Sequence, residues 1–184
     1  YGLGRDCFCL LNVGSNHPRK NVVALLQALA LLRQQGVPAH LLKAGADLTA
    51  AQKNYLEQQN LTDCVAYVGK PDQAELVALY NAADVLVAPS LYEGFGITPL
   101  EAMACGTPVV VANATALPEV VGDAGLRVPP QDIGAIAAAL RQLYEQPEVY
   151  ARLVNAGRDR ARMFTWAAHG DRVAAVYETL LNRG

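Results

Sequence analysis

Charged residues are scarce in this sequence, and they do not form blocks. Only 17% of its 184 residues are Asp, Glu, Lys or Arg, against 52% that are hydrophobic. A disordered tail or a solvating linker needs the opposite balance, so the composition excludes both. The 15 Lys and Arg and 17 Asp and Glu give a net charge of -2. This argues against nonspecific nucleic-acid binding, which needs a clustered excess of basic residues.

Long apolar runs are missing as well. A membrane-spanning helix needs roughly 18–20 apolar residues, and the richest stretch here, Val22 to Leu32, is short and contains Gln27. No basic-then-apolar signal peptide is visible at the N-terminus. Because the chain begins with Tyr1 rather than Met, we expect it to be a fragment of a larger protein. Any peripheral contact with the inner face of a membrane would then be made by a domain absent from this chain.

Cysteine pairs and metal-ligand clusters are a third absence. Cys7, Cys9, Cys64 and Cys105 form no C-x-x-C pair, and no His stands at metal-ligand spacing. Cys7 and Cys9 point the same way in a strand-like run, so we expect them to pack as small hydrophobic side chains. The pattern predicts a reducing, cytoplasmic compartment and no metal site.

Short apolar runs alternate with helical patterns over residues 1–128. None of these runs alternates polar with apolar residues, so each predicts a strand buried on both faces. The predicted strands are Cys7–Val13, Leu41–Ala44, Val65–Val68, Val85–Ala88, Pro108–Val111 and Leu126–Val128; the predicted helices are Asn21–Gln34, Thr49–Gln59, Asp72–Ala82 and Thr98–Ala104. Asn21, Thr49 and Asp72 are the expected N-caps. This order predicts an α/β fold, a Rossmann-like doubly wound parallel sheet of about six strands.

The pattern from residue 129 to the end is helical. Asp132 and Thr165 are expected to cap helices that run to about Tyr144 and over Trp166–Leu181, with a further helix over Pro147–Arg162. We therefore predict a single domain over residues 1–184. It has a sheet core over 1–128 and extra C-terminal helices over 129–184, which pack on this core or on a neighbour.

The loop after the fourth predicted strand has two glycines directly before a helix. Gly94 and Gly96 flank Phe95 and let the backbone approach a ligand closely. The following helix offers free N–H groups at its N-terminus. A helix N-terminus behind such a loop is typical of a phosphate site.

Two carboxylates bracket this turn. Thr98-Pro99-Leu100-Glu101 is a capping-box pattern, which would explain Glu101 by helix stability alone. Glu93 lies in the loop and has no such explanation. Its carboxylate is suited to accept hydrogen bonds from sugar hydroxyls.

The loop after the first predicted strand also contains a glycine, Gly14, and in addition it is basic. Arg19 and Lys20 stand at the expected start of a helix, where the macrodipole disfavours cations unless an anion lies between. The alternative is a pair of solvated surface charges. Both loops follow strands at one edge of a parallel sheet, where ligands of such folds bind. We therefore expect the two loops to face one cleft.

Motifs of other nucleotide-binding and hydrolytic classes are absent. The sequence contains no G-x-S-x-G, no Walker A and no G-x-G-x-x-G. His17, His40 and His169 form no constellation, and we expect the last two to be structural. Basic residues and carboxylates without a nucleophilic triad point to binding of a diphosphate and a polyol.

The segment from Glu93 to Glu101, continued by Ala-Met-Ala-Cys-Gly-Thr-Pro-Val, resembles the E-x7-E motif of the retaining glycosyltransferases of family 4, or group 1. Residues 14–21 resemble the first phosphate loop of that family, and residues 116–126 and 164–166 also match. The resemblance spans nearly all of the chain. Relatives often carry Gly-Arg in the first loop, whereas Ser15 follows Gly14 here in a loop shorter by one residue, which leaves the phosphate cations to Arg19 and Lys20.

The resemblance implies the C-terminal, nucleotide-sugar-binding half of a GT-B enzyme. It implies that Lys20 and Arg19 hold the donor diphosphate, that Glu101 binds the ribose hydroxyls and that Glu93 binds the transferred sugar. These three charged residues around the transferred group, Glu93, Lys20 and Arg19, are the implied catalytic set. Further implied donor contacts are Gly14, Ser15, Gly94, Phe95, Gly96, Ile97 and Thr98, with the turn from Lys70 to Leu76 beside the base.

The same resemblance implies a GDP- or UDP-linked hexose donor and no cofactor or metal ion, because cations and helix dipoles stabilise the leaving diphosphate. The Arg-Lys-Asn of the first loop resembles loops associated with mannosyl transfer from GDP-mannose. The acceptor-binding N-terminal domain is absent from this chain, so we expect the isolated domain to be inactive. The last helix normally crosses to that domain, which predicts that Trp166 is partly exposed.

Three alternatives stay open. The first is a domain of a GT-B-fold enzyme that epimerises a nucleotide sugar. The second is a generic dinucleotide-binding domain, against which the missing G-x-G-x-x-G speaks. The third is a non-catalytic module, against which the intact Glu93, Lys20 and Glu101 speak.

Overall fold

Six parallel strands form one sheet in the computed structural model, which describes residues 6–181. The strands are β1 (Phe8–Gly14), β2 (Ala39–Gly45), β3 (Val65–Gly69), β4 (Val85–Ala88), β5 (Val109–Ala112) and β6 (Leu126–Val128). The helices are α1 (Val22–Gln34), α2 (Ala50–Gln58), α3 (Gln73–Ala82), α4 (Ile97–Cys105), α5 (Leu117–Val121), α6 (Ile133–Glu145), α7 (Pro147–Arg162) and α8 (Trp166–Leu181). The sheet order is β3-β2-β1-β4-β5-β6. The predicted doubly wound, Rossmann-like architecture is confirmed.

The central strands separate two hydrophobic cores. Successive residues of a strand point to opposite faces, so Leu10 of β1 packs on the side of α1 and α6, and Leu11 packs on the side of α3 and α4. Both side chains are completely buried. Each such burial stabilises the fold by about 1.5–3 kcal/mol, which explains why the central strands are continuous apolar runs.

The edge strands differ from the prediction that every strand is buried on both faces, which is wrong for β3 and β6. No residue of β3 is buried, and Tyr67 is 45% exposed. In β6 only Val128 is buried. Each of these strands pairs with a single neighbour, so the helical layers cover it less completely.

The predicted helix starts are mostly confirmed. Thr49 and Asp72 each form a complete capping box with the third residue of their helix, and Asp132 caps α6. Thr165 accepts a hydrogen bond from the Ala168 amide at the start of α8. Asn21 is the N-cap residue of α1, as predicted, but it has a left-handed backbone (φ 54°) and its side chain makes no capping hydrogen bond.

The three C-terminal helices play different parts. Ile136 and Leu140 of α6 are fully buried in the core shared with α1. In α7, Gly157 packs closely against Met103 of α4. By contrast, α8 has no buried residue, and Trp166 is 88% exposed, as predicted. Among the helices of residues 6–181, none has the length and apolar character required to cross a membrane.

Candidate functional site

The candidate site lies where the sheet order reverses, at the carboxyl ends of β1 and β4. These strands are neighbours, but their helices continue to opposite faces, which opens a crevice between the loops that follow them. The backbone amide of Leu91 donates to the carbonyl of Arg19 at 2.7 Å. The Asn21 side chain donates to the carbonyls of Pro89 (3.0 Å) and Pro130 (2.6 Å). The two predicted ligand loops are therefore tied together at one edge.

Three charged side chains from the two loops form one ion-pair cluster. Lys20 Nζ lies 2.5 Å from Glu93 Oε1, and Arg19 Nη1 lies 3.1 Å from Glu93 Oε2. Arg19 and Lys20 belong to a short 3-10 turn, Pro18–Lys20, that precedes α1. The anion that offsets these cations in the structure is thus the Glu93 carboxylate. Two cations against one carboxylate leave a net positive charge at the crevice.

Glu93 is held, at its carboxylate and at its backbone amide, by more groups than the sequence suggested. Ser90 Oγ donates to Glu93 Oε1 at 2.8 Å, and the Glu93 amide donates to Thr115 Oγ1 at 3.0 Å. Burial alone would raise the pKa of Glu93, but the hydrogen bonds and charges of Lys20, Ser90 and Arg19 hold it below its ordinary value. Glu93 is therefore ionised at neutral pH.

Sequence reasoning missed Ser90 and Thr115 as parts of the site. Both follow strands that end at the same edge of the sheet, Ser90 after β4 and Thr115 after β5. Thr115 also has a left-handed backbone (φ 52°), which is unusual outside glycine. The signal that could have identified both residues is a polar side chain just past the carboxyl end of a strand.

The N-terminus of α4 is open, and the capping box predicted at Thr98 is wrong. The helix begins at Ile97, its N-cap is Gly96 with a φ of 103°, and no side chain caps it. Pro99 is consequently the third helical residue and not the first. The leading N–H groups of a helix have no partner within it, so the backbone at Ile97 and Thr98 is free to donate to an anion.

Five of the predicted donor-binding residues come together in one depression. Its lining includes Lys20, Glu93, Gly96, Ile97 and Thr98. A Cβ atom built on Gly14 would lie 3.7 Å from Lys20 Nζ, so the Lys20 side chain passes directly over that glycine. The ligand loops thus bring a cation, a carboxylate and free backbone amides into one place.

Phe95 links the second loop to the end of α7. Its ring, 47% exposed, packs edge-on against Phe164, with 5.9 Å between the centroids. Arg160 lies over the other ring, 4.9 Å from the Phe164 centroid, and donates to the carbonyls of Glu119 and Val120. The position of the glycine loop is therefore connected to the junction of α7 and α8.

The remaining predicted residues lie outside this depression. Ser15 is exposed after β1, and Gly94 is exposed in the second loop. Lys70 is exposed after the edge strand β3, and Leu76 packs against the core on the α3 side. Glu101 is exposed on α4 and accepts a hydrogen bond from Tyr80.

Lys43 is a buried cation directly behind the first loop. It is fully buried in β2, and its Nζ donates to the carbonyls of Gly14 (2.8 Å) and Ala44 (2.9 Å). The Gly14 carbonyl also accepts from the Ala46 amide. Burial, followed by the nearby Lys20 charge, lowers the pKa of Lys43 from 10.5 to about 8.

This pKa predicts a specific pH dependence of stability. Between about pH 8 and 10.5 the unfolded chain keeps a proton on Lys43 that the folded chain has lost, so this group makes the fold more stable as the pH rises. We therefore compare the unfolding free energies of the wild type and Lys43→Met. Their difference should shift by about 1–3 kcal/mol in favour of the wild type when the pH rises from 7 to 10. Chemical denaturation at both pH values measures it, with the exposed Lys53→Met as control. A constant difference between wild type and Lys43→Met would contradict the assignment.

Comparison with known proteins identifies the family of this chain. The family described as glycosyl transferases group 1 matches residues 4–160. The chain is 38% identical over 161 residues to O-antigen chain mannosyltransferase B of Escherichia coli, covering 85% of this chain and 42% of that protein. It is 36% identical over 170 residues to the MMP alpha-(1->4)-mannosyltransferase of Mycolicibacterium hassiacum, covering 90% and 41%. The chain thus spans less than half the length of these relatives.

A solved structure shows the same fold. The sucrose-phosphate synthase of Thermosynechococcus elongatus aligns with a TM-score of 0.82 and 32% identity, over 99% of this chain and 47% of that one. The architecture is that of one Rossmann-like half of a GT-B fold. Because the family match covers most of the chain and relatives exceed 30% identity, the chain belongs to the group 1 glycosyltransferases.

Proposed function

We propose that this chain is the donor-binding half of a retaining glycosyltransferase that moves a hexose from a nucleoside-diphosphate sugar to an acceptor. The observation that carries the proposal is the cluster of Arg19, Lys20 and Glu93 beside the uncapped N-terminus of α4. Cations and free amides bind the diphosphate, and a fixed carboxylate binds a sugar hydroxyl.

The same groups would assist the chemistry. When the bond between the sugar and the diphosphate breaks, negative charge accumulates on the leaving phosphate oxygens. Lys20, Arg19 and the leading amides of α4 stabilise that charge where it develops, without a metal ion. Glu93, ionised and held by its hydrogen bonds, fixes the transferred sugar during the reaction.

Mannose is the proposed sugar. Two relatives above 35% identity are named mannosyltransferases. In this proposal Lys20 and Arg19 hold the diphosphate, Glu93 binds the sugar and Glu101 binds the ribose hydroxyls. The base of the donor is then left to the turn from Lys70 to Leu76. GDP-mannose is the first donor to try, with UDP-linked hexoses as the comparison.

An N-terminal, acceptor-binding domain is the proposed partner. The exposed apolar residues of α8 support it, since Trp166, Val176 and Tyr177 are each more than half exposed. The half-length match to the relatives also supports it. A site that holds only the donor cannot position an acceptor for transfer.

Calorimetric titration with UDP, GDP, ADP and NAD tests the donor site. We expect saturable binding of one nucleoside diphosphate, strengthened or kept when its hexose is attached. Preferential binding of NAD would contradict the proposal and favour a dinucleotide-binding domain.

A further inference from the structure

A buried tyrosine is connected to one of the two carboxylates of the E-x7-E segment. The hydroxyl of Tyr80, in α3, donates to Glu101 Oε2 at 2.8 Å. Tyr80 is only 1% exposed and packs among the core residues on the α3 and α4 side. Its own carbonyl accepts a hydrogen bond of 2.6 Å from Thr107 Oγ1, so the residue is held at both its backbone and its hydroxyl.

Glu101 has no role in starting its helix. Since α4 begins at Ile97, Glu101 is the fifth helical residue and lies too far along to cap the N-terminus. Within residues 6–181 its only side-chain hydrogen bond is the one from Tyr80. An exposed glutamate with a single buried donor has one carboxylate oxygen occupied and the other, Oε1, available to a ligand.

The Tyr80 phenol is suited to hold this carboxylate at any pH near neutrality. Burial, and then the hydrogen bond to Glu101, raise the pKa of Tyr80 far above its ordinary value. The phenol therefore keeps its proton and acts as a donor. A donor fixed in the core reduces the conformational freedom that an exposed glutamate would lose on binding a ligand.

We propose that Tyr80 is a positioning residue that fixes the Glu101 carboxylate for recognition of the vicinal ribose hydroxyls of the nucleotide. The inference rests on the proposed function, in which Glu101 binds the ribose. It adds a residue from a different helix, outside the motif, whose effect is transmitted through Glu101 and requires no contact with the ligand.

The test is the discrimination between ribose and dideoxyribose. Binding of UDP and GDP, each with its 2′,3′-dideoxy counterpart, is measured for the wild type, Tyr80→Phe, Glu101→Gln and the double variant. Tyr80→Phe removes only a hydroxyl, and the residue that loses its donor, Glu101, is exposed. We expect it to weaken binding of the ribonucleotide by roughly 3- to 10-fold, as for freeing one side chain, and to leave the dideoxy counterpart nearly unchanged.

The ratio of ribonucleotide affinity to dideoxyribonucleotide affinity should be the same in the double variant as in Glu101→Gln alone, because Tyr80 acts through Glu101. Tyr150→Phe is the matched control, since Tyr150 lies beside Asp84 near the amino ends of β1 and β4, away from the candidate site. A purely structural role of Tyr80 would lower both affinities together and leave their ratio as in the wild type.

The outcomes separate the inference from the function on which it rests. If Glu101→Gln loses the discrimination and Tyr80→Phe keeps it, the role of Tyr80 is overturned and the ribose assignment stands. If Glu101→Gln keeps the discrimination while a nucleoside diphosphate still binds, the ribose assignment of Glu101 is overturned, and the role of Tyr80 with it. If no nucleoside diphosphate binds, the proposed donor site is overturned as well.

Discussion

Replacing Lys20 by Ala is expected to weaken binding of a nucleoside diphosphate by roughly 10- to 100-fold, the range of one or two charge-assisted hydrogen bonds. Binding of the nucleoside alone should change little. The reason is the position of Lys20, whose Nζ lies over Gly14 and beside Glu93. Phosphate oxygens that enter this place would share the ammonium with the carboxylate.

Calorimetric titration with the diphosphate and with the matching nucleoside measures the effect. Lys53→Ala is the matched control, because Lys53 pairs with Asp47 in an exposed position on α2. Thermal unfolding of both variants checks that the fold is kept. Equal losses for the nucleoside and the diphosphate would show that Lys20 does not hold the phosphates.

Replacing Glu93 by Ala and, separately, Glu101 by Ala is expected to weaken binding of two different parts of the donor. Glu93→Ala should spare the bare nucleoside diphosphate, or even strengthen its binding, because Arg19 and Lys20 lose the carboxylate that offsets their charge. It should weaken the nucleotide sugar by roughly 10-fold or more, since a hydrogen bond to a charged group is lost. Glu101→Ala should weaken both ligands, because both contain the ribose.

Titration of each variant with the bare nucleotide and with its hexose derivative gives the four affinities. Glu145→Ala, which removes an exposed partner of Arg141 on α6, is the control for losing one negative charge. If both variants lost affinity for both ligands to the same extent, this division of roles between Glu93 and Glu101 would be wrong.

The ion-pair cluster contains the anion that offsets its own two cations. A cation near a helix start is disfavoured by the macrodipole, and Arg19 and Lys20 were expected to need an external anion for that reason. In the folded chain Glu93 supplies the negative charge from a loop 73 positions away from Lys20. The two loops therefore supply both the cations and the carboxylate that offsets them.

Much of this protein was determined by local sequence pattern. Apolar runs alternating with capped helices fix a parallel sheet with helices on both faces, and the N-caps at Thr49 and Asp72 formed as predicted. Strands of such a sheet end at a common edge, so the loops after β1 and β4 had to meet. The family motif from Glu93 to Glu101 then indicated which loop carries the carboxylates.

Tertiary structure alone decided the contacts within the site. The pairing of Glu93 with Lys20, the support from Ser90 and Thr115 and the bond from Tyr80 to Glu101 join residues distant in sequence. The start of α4 at Ile97 depends on the left-handed Gly96, a backbone state that a capping pattern does not encode. Local propensity acts over a few neighbouring residues, whereas these contacts depend on strand order and on how helices pack across the sheet.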